Sequence, residues 1–245
     1  MKTWDKLKAQ FQQGKALKTI PLYIYSKIVK YVSIYYRDFK NKVKYGLEAP
    51  VYAERIWINP SMFTEAVFMS SRKAREESGQ VLNEFPPVGA KIVSIYDLPK
   101  IKSSFEYWNE GQPWEKTEYF RRYKDKHQEK YIRTINKYIN GFYDVLYEEV
   151  KKEGKLKTMK ELKRRNFREE GGVLIHIGPK GKLYHGNAGN RRLSIAILLG
   201  LDMIPAMIGY VHKDGIKYMP GLRKGKAVNN KEHDQSIIKP KQKLT

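Results

Sequence analysis

The chain of 245 residues contains no cysteine. Disulfides, thiolate metal sites and cysteine nucleophiles are therefore excluded. No run of about 18 apolar residues occurs, so no segment is suited to cross a bilayer. Residues 1–18 also lack the apolar stretch of a secretory leader. These absences predict a cytoplasmic protein. Acidic side chains are scarce, with 26 Asp and Glu against 48 Lys and Arg and a net charge of +22. A surface this cationic attracts polyanions through counterion release. DNA, RNA, acidic lipid headgroups and nucleotides are all candidate partners, beside the plain alternative of a solvated lysine-rich surface.

The surplus is uneven. Residues 1–45 carry eleven Lys and Arg against Asp5 and Asp38, and residues 213–245 carry nine against Asp214, Glu232 and Asp234. Most of the basic character therefore lies in the flanks, outside the expected core. Apolar residues make up 41% of the chain, enough to build one sizeable core with helical additions.

Residues 1–45 read as helical, with Pro21 in the first turn of a second helix. Beyond it Ile24, Ile28, Val32 and Tyr35 recur at helical spacing, opposite Ser26, Lys30, Ser33, Arg37 and Lys40. Amphipathic helices usually face a core, so packing on the domain is the favoured expectation. Contact of residues 20–40 with an acidic membrane surface, or with a partner helix, is the alternative. Gly46 to Pro50 breaks the pattern. Arg55–Pro60 reads as a strand ended by proline, residues 70–90 as a surface excursion, and Ala90–Tyr96 as another strand. Lys102–Pro113 reads as an irregular aromatic loop, with Phe105, Tyr107 and Trp108 followed by Trp114. It is suited to a small core or to stacking a base. A helical stretch follows from Glu115, with apolar positions at Ile132, Ile135, Ile139, Phe142, Leu146 and Val150. Thr158 and Glu161 have the spacing of a capping box. Val173–Ile177 and Lys182–His185 form a hairpin around Gly178–Gly181. Gly189–Leu199 is a helix stopped at Gly200, and Ile204–Val211 a last strand. Residues 220–245 have no periodicity and read as a disordered basic tail.

The chemistry concentrates in Gly186–Ala196, between a strand and a helix. Glycines there permit unusual backbone angles and close approach. The helix start offers free N–H groups and the positive end of its dipole. Arginine adds a forked donor for phosphate oxygens. Together these features describe an anion site, with a merely structural turn as the alternative. Of adjacent Arg191 and Arg192 only one need face a ligand, because successive helical residues diverge by about 100°. His185, just before the turn, is a further candidate to touch ligand or metal, beside the plain alternative of a hydrogen-bonded strand histidine. His176 reads as packed. No spacing among the five histidines makes a metal signature, so no metal is expected. The carboxylates Glu106, Glu110, Glu115 and Glu118 are candidates for acid–base work.

Gly189-Asn190-Arg191-Arg192-Leu193-Ser194-Ile195-Ala196, with Leu199-Gly200-Leu201 and Ile204-Pro205, resembles the ParB N-terminal signature of the ParB/sulfiredoxin superfamily over about forty residues. Phe105–Thr117, Ala49-Pro50 and Trp57-Ile58 also resemble stretches preceding ParB-like cores in proteins encoded near surface-polysaccharide genes and in viruses. The resemblance implies nucleotide-phosphate binding: CTP in ParB proteins, ATP in sulfiredoxins, and phosphoryl transfer to free serine in other relatives. It implies that Gly189 permits the turn and Arg192 holds phosphate, assisted by Arg191 and Asn190. Gly186, Asn187 and His185 are added to the expected site by their place in and beside the same turn. CTP or ATP with Mg²⁺ is the ligand it points to. Asn190 stands where sulfiredoxins carry their catalytic cysteine, which excludes that reductase chemistry. No second ParB box is recognisable, Asn229-Asn230-Lys231-Glu232 being nearest, and no helix-turn-helix follows.

The expected architecture is α+β, a small mixed sheet of ParB/sulfiredoxin type. Residues 1–46 form a basic amphipathic helical extension, 47–219 the domain with a helical insert at about 100–168, and 220–245 the tail. The expected function is nucleotide binding together with DNA or another polyanion through the basic flanks. Phosphotransferase or nucleotide-hydrolase activity in the same pocket, and a non-catalytic nucleic-acid or membrane-surface adaptor, are the rival readings.

Overall fold

A computed structural model describes residues 16–124, 136, 138 and 141–225. It is an α+β protein built on one open mixed sheet. The strands are β1 (Arg55–Ile58), β2 (Glu65–Phe68), β3 (Val81–Leu82), β4 (Lys91–Ser94), β5 (Val173–Ile177), β6 (Leu183–His185) and β7 (Ile204–His212). Their order is β1-β7-β5-β6-β2-β4, with β3 also pairing with β7. β5 and β7 run parallel at the centre, and every residue of both is buried. That fits their near-continuous Val, Ile, Leu and Met content, since a strand covered on both faces needs no polar alternation. β6 returns antiparallel to β5 and runs parallel to β2, carrying the sheet outward to β4.

Helices cover both faces. On one lie α3 (Pro99–Trp108), α5 (Phe142–Glu153) and α7 (Asn190–Leu198), whose Ile101, Val150, Leu193 and Ile195 pack with Ile56, Ile175 and Ile208 of the sheet. On the other, Ile34 of α1 (Ala16–Tyr45) and Ala74 of α2 (Ser71–Glu76) pack with Tyr52, Leu174, Met207 and Tyr210. α4 (Glu118–Lys124) and α6 (Met159–Leu162) complete the insert, and α8 (Met219–Arg223) closes against β1. Thr158 and Glu161 make the expected capping box at α6.

Several expectations are corrected. α1 is described from Ala16 and runs through Pro21, so that proline does not open the helix. The positions expected to pack, Ile24, Ile28, Val32 and Tyr35, are more than half exposed. The helix docks instead through a polar seam. Asp38 accepts from the Tyr52 backbone N–H at 2.7 Å and pairs with Arg168 at 2.9 Å, while Asn41 donates to the Pro50 and Gly79 carbonyls. A seam of buried polar residues has no apolar period for a sequence pattern to register. The stretch read as an aromatic loop is largely α3, because Ile101, Phe105 and Trp108 recur at helical spacing and Pro99 occupies the first turn. β2 and β3 went unrecognised, and α2 and β3 both lie inside the expected excursion at 70–90. Gly141 does more than weaken a helix: with φ +71° it caps a new one, α5. Phe142 is then left exposed while Val150 is buried. Ile132, Ile135 and Ile139 lie outside the described residues. The expected tail starts later than residue 220, since α8 is anchored by Arg223, which pairs with Glu54 at 2.5 Å and with Glu48. From residue 226 the tail lies outside the described residues.

Candidate functional site

The Gly186–Arg192 turn joins the end of β6 to the start of α7. Gly189 is the N-cap, with φ +80° and no side-chain capping bond to the first turn of the helix. A Cβ on Gly189 would lie 2.7 Å from Val173 Cα and 3.1 Å from the Gly172 carbonyl. Glycine is thus required twice, for backbone angle and for closeness to β5. Gly186 is tight as well, since a Cβ there would come within 2.6 Å of Leu174 and 2.9 Å of His176 Nε2. Asn187 (φ +53°) and Gly189 are partly exposed at the mouth of the turn.

A polar chain stiffens it. His185 lies 2.6 Å from Asn190 Oδ1, and Asn190 Nδ2 donates to Asn187 Oδ1 at 3.2 Å. An acceptor oxygen facing His185 Nε2 requires that nitrogen to carry the proton. Burial, opposed by the bond to Asn190, pushes His185 down to about 4 from its ordinary 6.5. His185 is therefore neutral at physiological pH and orients Asn190 rather than offering a cation to phosphate. His176 is packed as expected, beneath Tyr210, whose backbone N–H it accepts at 2.8 Å. Burial pushes it down to about 3.

The two arginines part company. Arg191 is 5% exposed. Its Nε donates to the Tyr138 hydroxyl at 3.0 Å, and its Nη1 to Ser104 Oγ at 2.5 Å and to the Lys100 carbonyl. The guanidinium lies 4.6–5.9 Å from the ring centres of Trp114, Tyr119, Tyr138 and Tyr143. Among the described residues no carboxylate lies within ion-pairing distance of it, so ring faces and neutral acceptors offset part of its desolvation, while its Nη2 is buried without a hydrogen-bond partner. Trp114, Tyr119, Phe120 and Tyr138 themselves form a buried cluster. The aromatics of the insert therefore build a small core clamped to α7 through Arg191. Arg191→Lys is expected to lower stability by about 2 kcal/mol, because an ammonium reproduces neither the fork nor the stacking. A thermal melt measures the loss, and an unchanged melting temperature would refute the clamp.

Arg192 donates to the Lys157 carbonyl, and its Nε is buried without a partner. Burial opposes its charge, which Glu169 and Glu161 favour. Glu169 is fully buried; its Oε1 accepts from Met159 N–H at 2.8 Å, and its Oε2 has no partner. Burial raises its pKa, against the pull of the Met159 bond and of Arg192. On its other side Arg192 borders a shallow, open depression between α5 and α6, lined also by Val150, Glu149, Glu153, Lys155 and Lys157. Comparison with family models, curated proteins and solved structures returned no match.

Glu169 is the residue that sequence reasoning missed. The available signal was Gly171-Gly172 just after it, since a Cβ on Gly172 would press on the Glu169 carboxylate at 3.1 Å. The carboxylates singled out instead serve the insert. Glu106 accepts from the Glu118 backbone N–H at 2.7 Å, Glu118 pairs with Lys102 and Arg122, Glu110 accepts from Gln112, and Glu115 is exposed. Among the described residues no group of three or more His, Asp or Glu converges where a metal could sit.

Proposed function

We propose that this is a phosphate-binding domain of ParB/sulfiredoxin type, which takes a nucleotide such as CTP or ATP, with Mg²⁺, at the start of α7. The observation that carries this reading is the pairing of an uncapped helix start at Gly189 with a buried, unpartnered Arg192 Nε one turn inside. A buried donor left without an acceptor costs on the order of 1–3 kcal/mol, which an anion at this position would recover. The helix dipole and backbone N–H groups favour the same occupant. In this reading Gly186 and Gly189 shape the turn, Asn187 presents its amide at the mouth, the buried Asn190 held by His185 braces Asn187, and Arg192 meets phosphate. Arg191 contributes by holding the insert.

Melting of the purified chain against ATP, ADP, CTP and GTP, with and without Mg²⁺, tests the proposal. At a ligand concentration of 100 times Kd the stabilisation is about 2.7 kcal/mol. Arg192→Gln is expected to remove the shift while circular dichroism shows a folded chain. No shift with any nucleotide would overturn the proposal.

A second reading, turnover of the nucleotide, draws on Glu169. A buried carboxyl with a raised pKa beside an arginine is suited to general acid–base work in phosphoryl transfer. Product formed by the wild-type chain and not by Glu169→Gln would establish it. Binding without product would leave a non-catalytic domain, one that acts with DNA or another polyanion through its basic flanks.

A further inference from the structure

The outward face of α1 carries apolar side chains in an unbroken helical register. Ile24, Ile28, Val32, Tyr35, Phe39 and Val43 follow at steps of three and four, and each is 51–70% exposed. At 1.5 Å per residue the stripe is about 28 Å long. Tyr25, Val29 and Tyr36 widen it on one side, and all three are exposed as well. The helix already satisfies its contact with the domain through Ile34, Asp38 and Asn41, so this stripe is a second face that none of the described residues covers. Contiguous apolar surface on this scale marks an interaction site.

The charges beside the stripe select the occupant. Exposed Lys42 borders it on one side, and exposed Lys40 and Lys44 on the other. The only acid in α1 is Asp38, which is buried and paired with Arg168. The solvent-facing surface of the helix is therefore apolar and cationic, with no carboxylate. A second copy of the chain laid along the stripe would bring lysine against lysine without a counter-charge. Nucleic acid would satisfy the lysines and leave Ile24, Ile28, Val32 and Val43 without apolar partners. A bilayer surface with anionic headgroups satisfies both. Aliphatic side chains enter the acyl boundary, tyrosine and phenylalanine lie at headgroup level, and the lysines meet phosphate and carboxylate. α1 is not long and apolar enough to cross the membrane, so it would lie in the plane of the interface. We propose that the outward face of α1 docks the protein onto an anionic lipid surface, independently of any nucleotide held at α7.

Flotation of the full chain with phosphatidylserine-rich and pure phosphatidylcholine vesicles tests this. The chain is expected to float with the anionic vesicles, and less so as salt rises. Val32→Asp/Phe39→Asp should abolish flotation. Lys40→Gln/Lys42→Gln/Lys44→Gln should weaken it by at least about tenfold. All five positions are exposed, so both variants are expected to melt as the wild type does, and an equal melting temperature certifies the comparison. No flotation with anionic vesicles overturns the proposal, as does flotation that survives Val32→Asp/Phe39→Asp. If sedimentation shows a dimer abolished by those two substitutions, with no vesicle binding, the occupant is a second copy. If the stripe variant instead loses affinity for DNA or RNA while vesicles are ignored, it is nucleic acid. Either result overturns the lipid assignment.

Discussion

Acidification from pH 6.5 to 5 is expected to destabilise the chain by several kcal/mol through two buried histidines. His176 and His185 are both fully buried, and burial pushes them down to about 3 and about 4 from an ordinary 6.5. The unfolded chain therefore takes up two protons near pH 6.5, which the folded chain refuses until far lower. Whatever state binds more protons gains as pH falls, so the contribution of these histidines is complete above pH 6.5 and declines through the window below it. Each refused proton costs about 1.4 kcal/mol per pH unit. Among the described residues neither ring has a carboxylate to hold its charge. His185 faces Asn190 with Arg75 nearby, and His176 lies against Tyr210 between Gly186 and Gly209. A Cβ on Gly209 would stand 2.1 Å from His176 Nδ1, so the ring has no room to swing toward water. Urea midpoints at successive pH values measure the slope. His185→Gln is expected to remove about half of it, and stability that stays level from pH 6.5 to 5 would refute the assignment. The contact with Asn190 is not what fails, because protonation adds a proton at Nδ1 and leaves Nε2–H donating to Asn190 Oδ1; the cost is that of a buried charge.

How much of this was legible follows from where the apolar residues sit. β5, β7 and α7 are buried on their core faces and surrounded by glycine punctuation, so Val173–Ile177, Ile204–Val211 and the helix after Gly189 could be read directly. β2 has four residues, Glu-Ala-Val-Phe, with Ala66 and Val67 adjacent and both buried, which no two-residue period describes. β3 is two residues long and owes its place to pairing with Val211 and His212, far off in sequence. In α1 the strongest apolar period marked the face that the described residues leave open, because Ile34, Asp38 and Asn41 do the docking. Periodicity identifies the apolar face of a helix; it does not say which surface that face meets. The site was legible in its turn and illegible in its partners. Gly186, Gly189 and the arginines lie in one short string, but Glu169 and the Lys157 carbonyl reach Arg192 only through the fold. Two adjacent arginines likewise look equivalent in sequence. Their different surroundings come from the insert, which supplies rings to Arg191 and a single carbonyl to Arg192.

Gly189→Ala is expected to cost about 4 kcal/mol, against about 1 kcal/mol for Gly154→Ala. Both glycines have positive φ, +80° and +64°, and both stand at the end of a helix. They differ in what a methyl group would meet. Gly154 faces nothing within 4 Å, so alanine there bears only the strain of the left-handed region. At Gly189 the methyl would lie 2.7 Å from Val173 Cα and 3.0 Å from Val173 N, backbone atoms of a strand paired on both sides. β5 cannot give way without disturbing β6 and β7, so α7 must move outward instead. That shift loosens Leu193 and Ile195 from the core and carries Arg192 away from the Lys157 carbonyl. For a domain of this size each kcal/mol lowers the melting temperature by about 2–4 °C, so Gly189→Ala should melt roughly 8–16 °C below wild type. Equal melting temperatures for the two variants would show that closeness to β5 does not constrain the turn. A large loss at Gly189 alone would show that the geometry of the proposed phosphate site and the register of α7 on the sheet are one constraint.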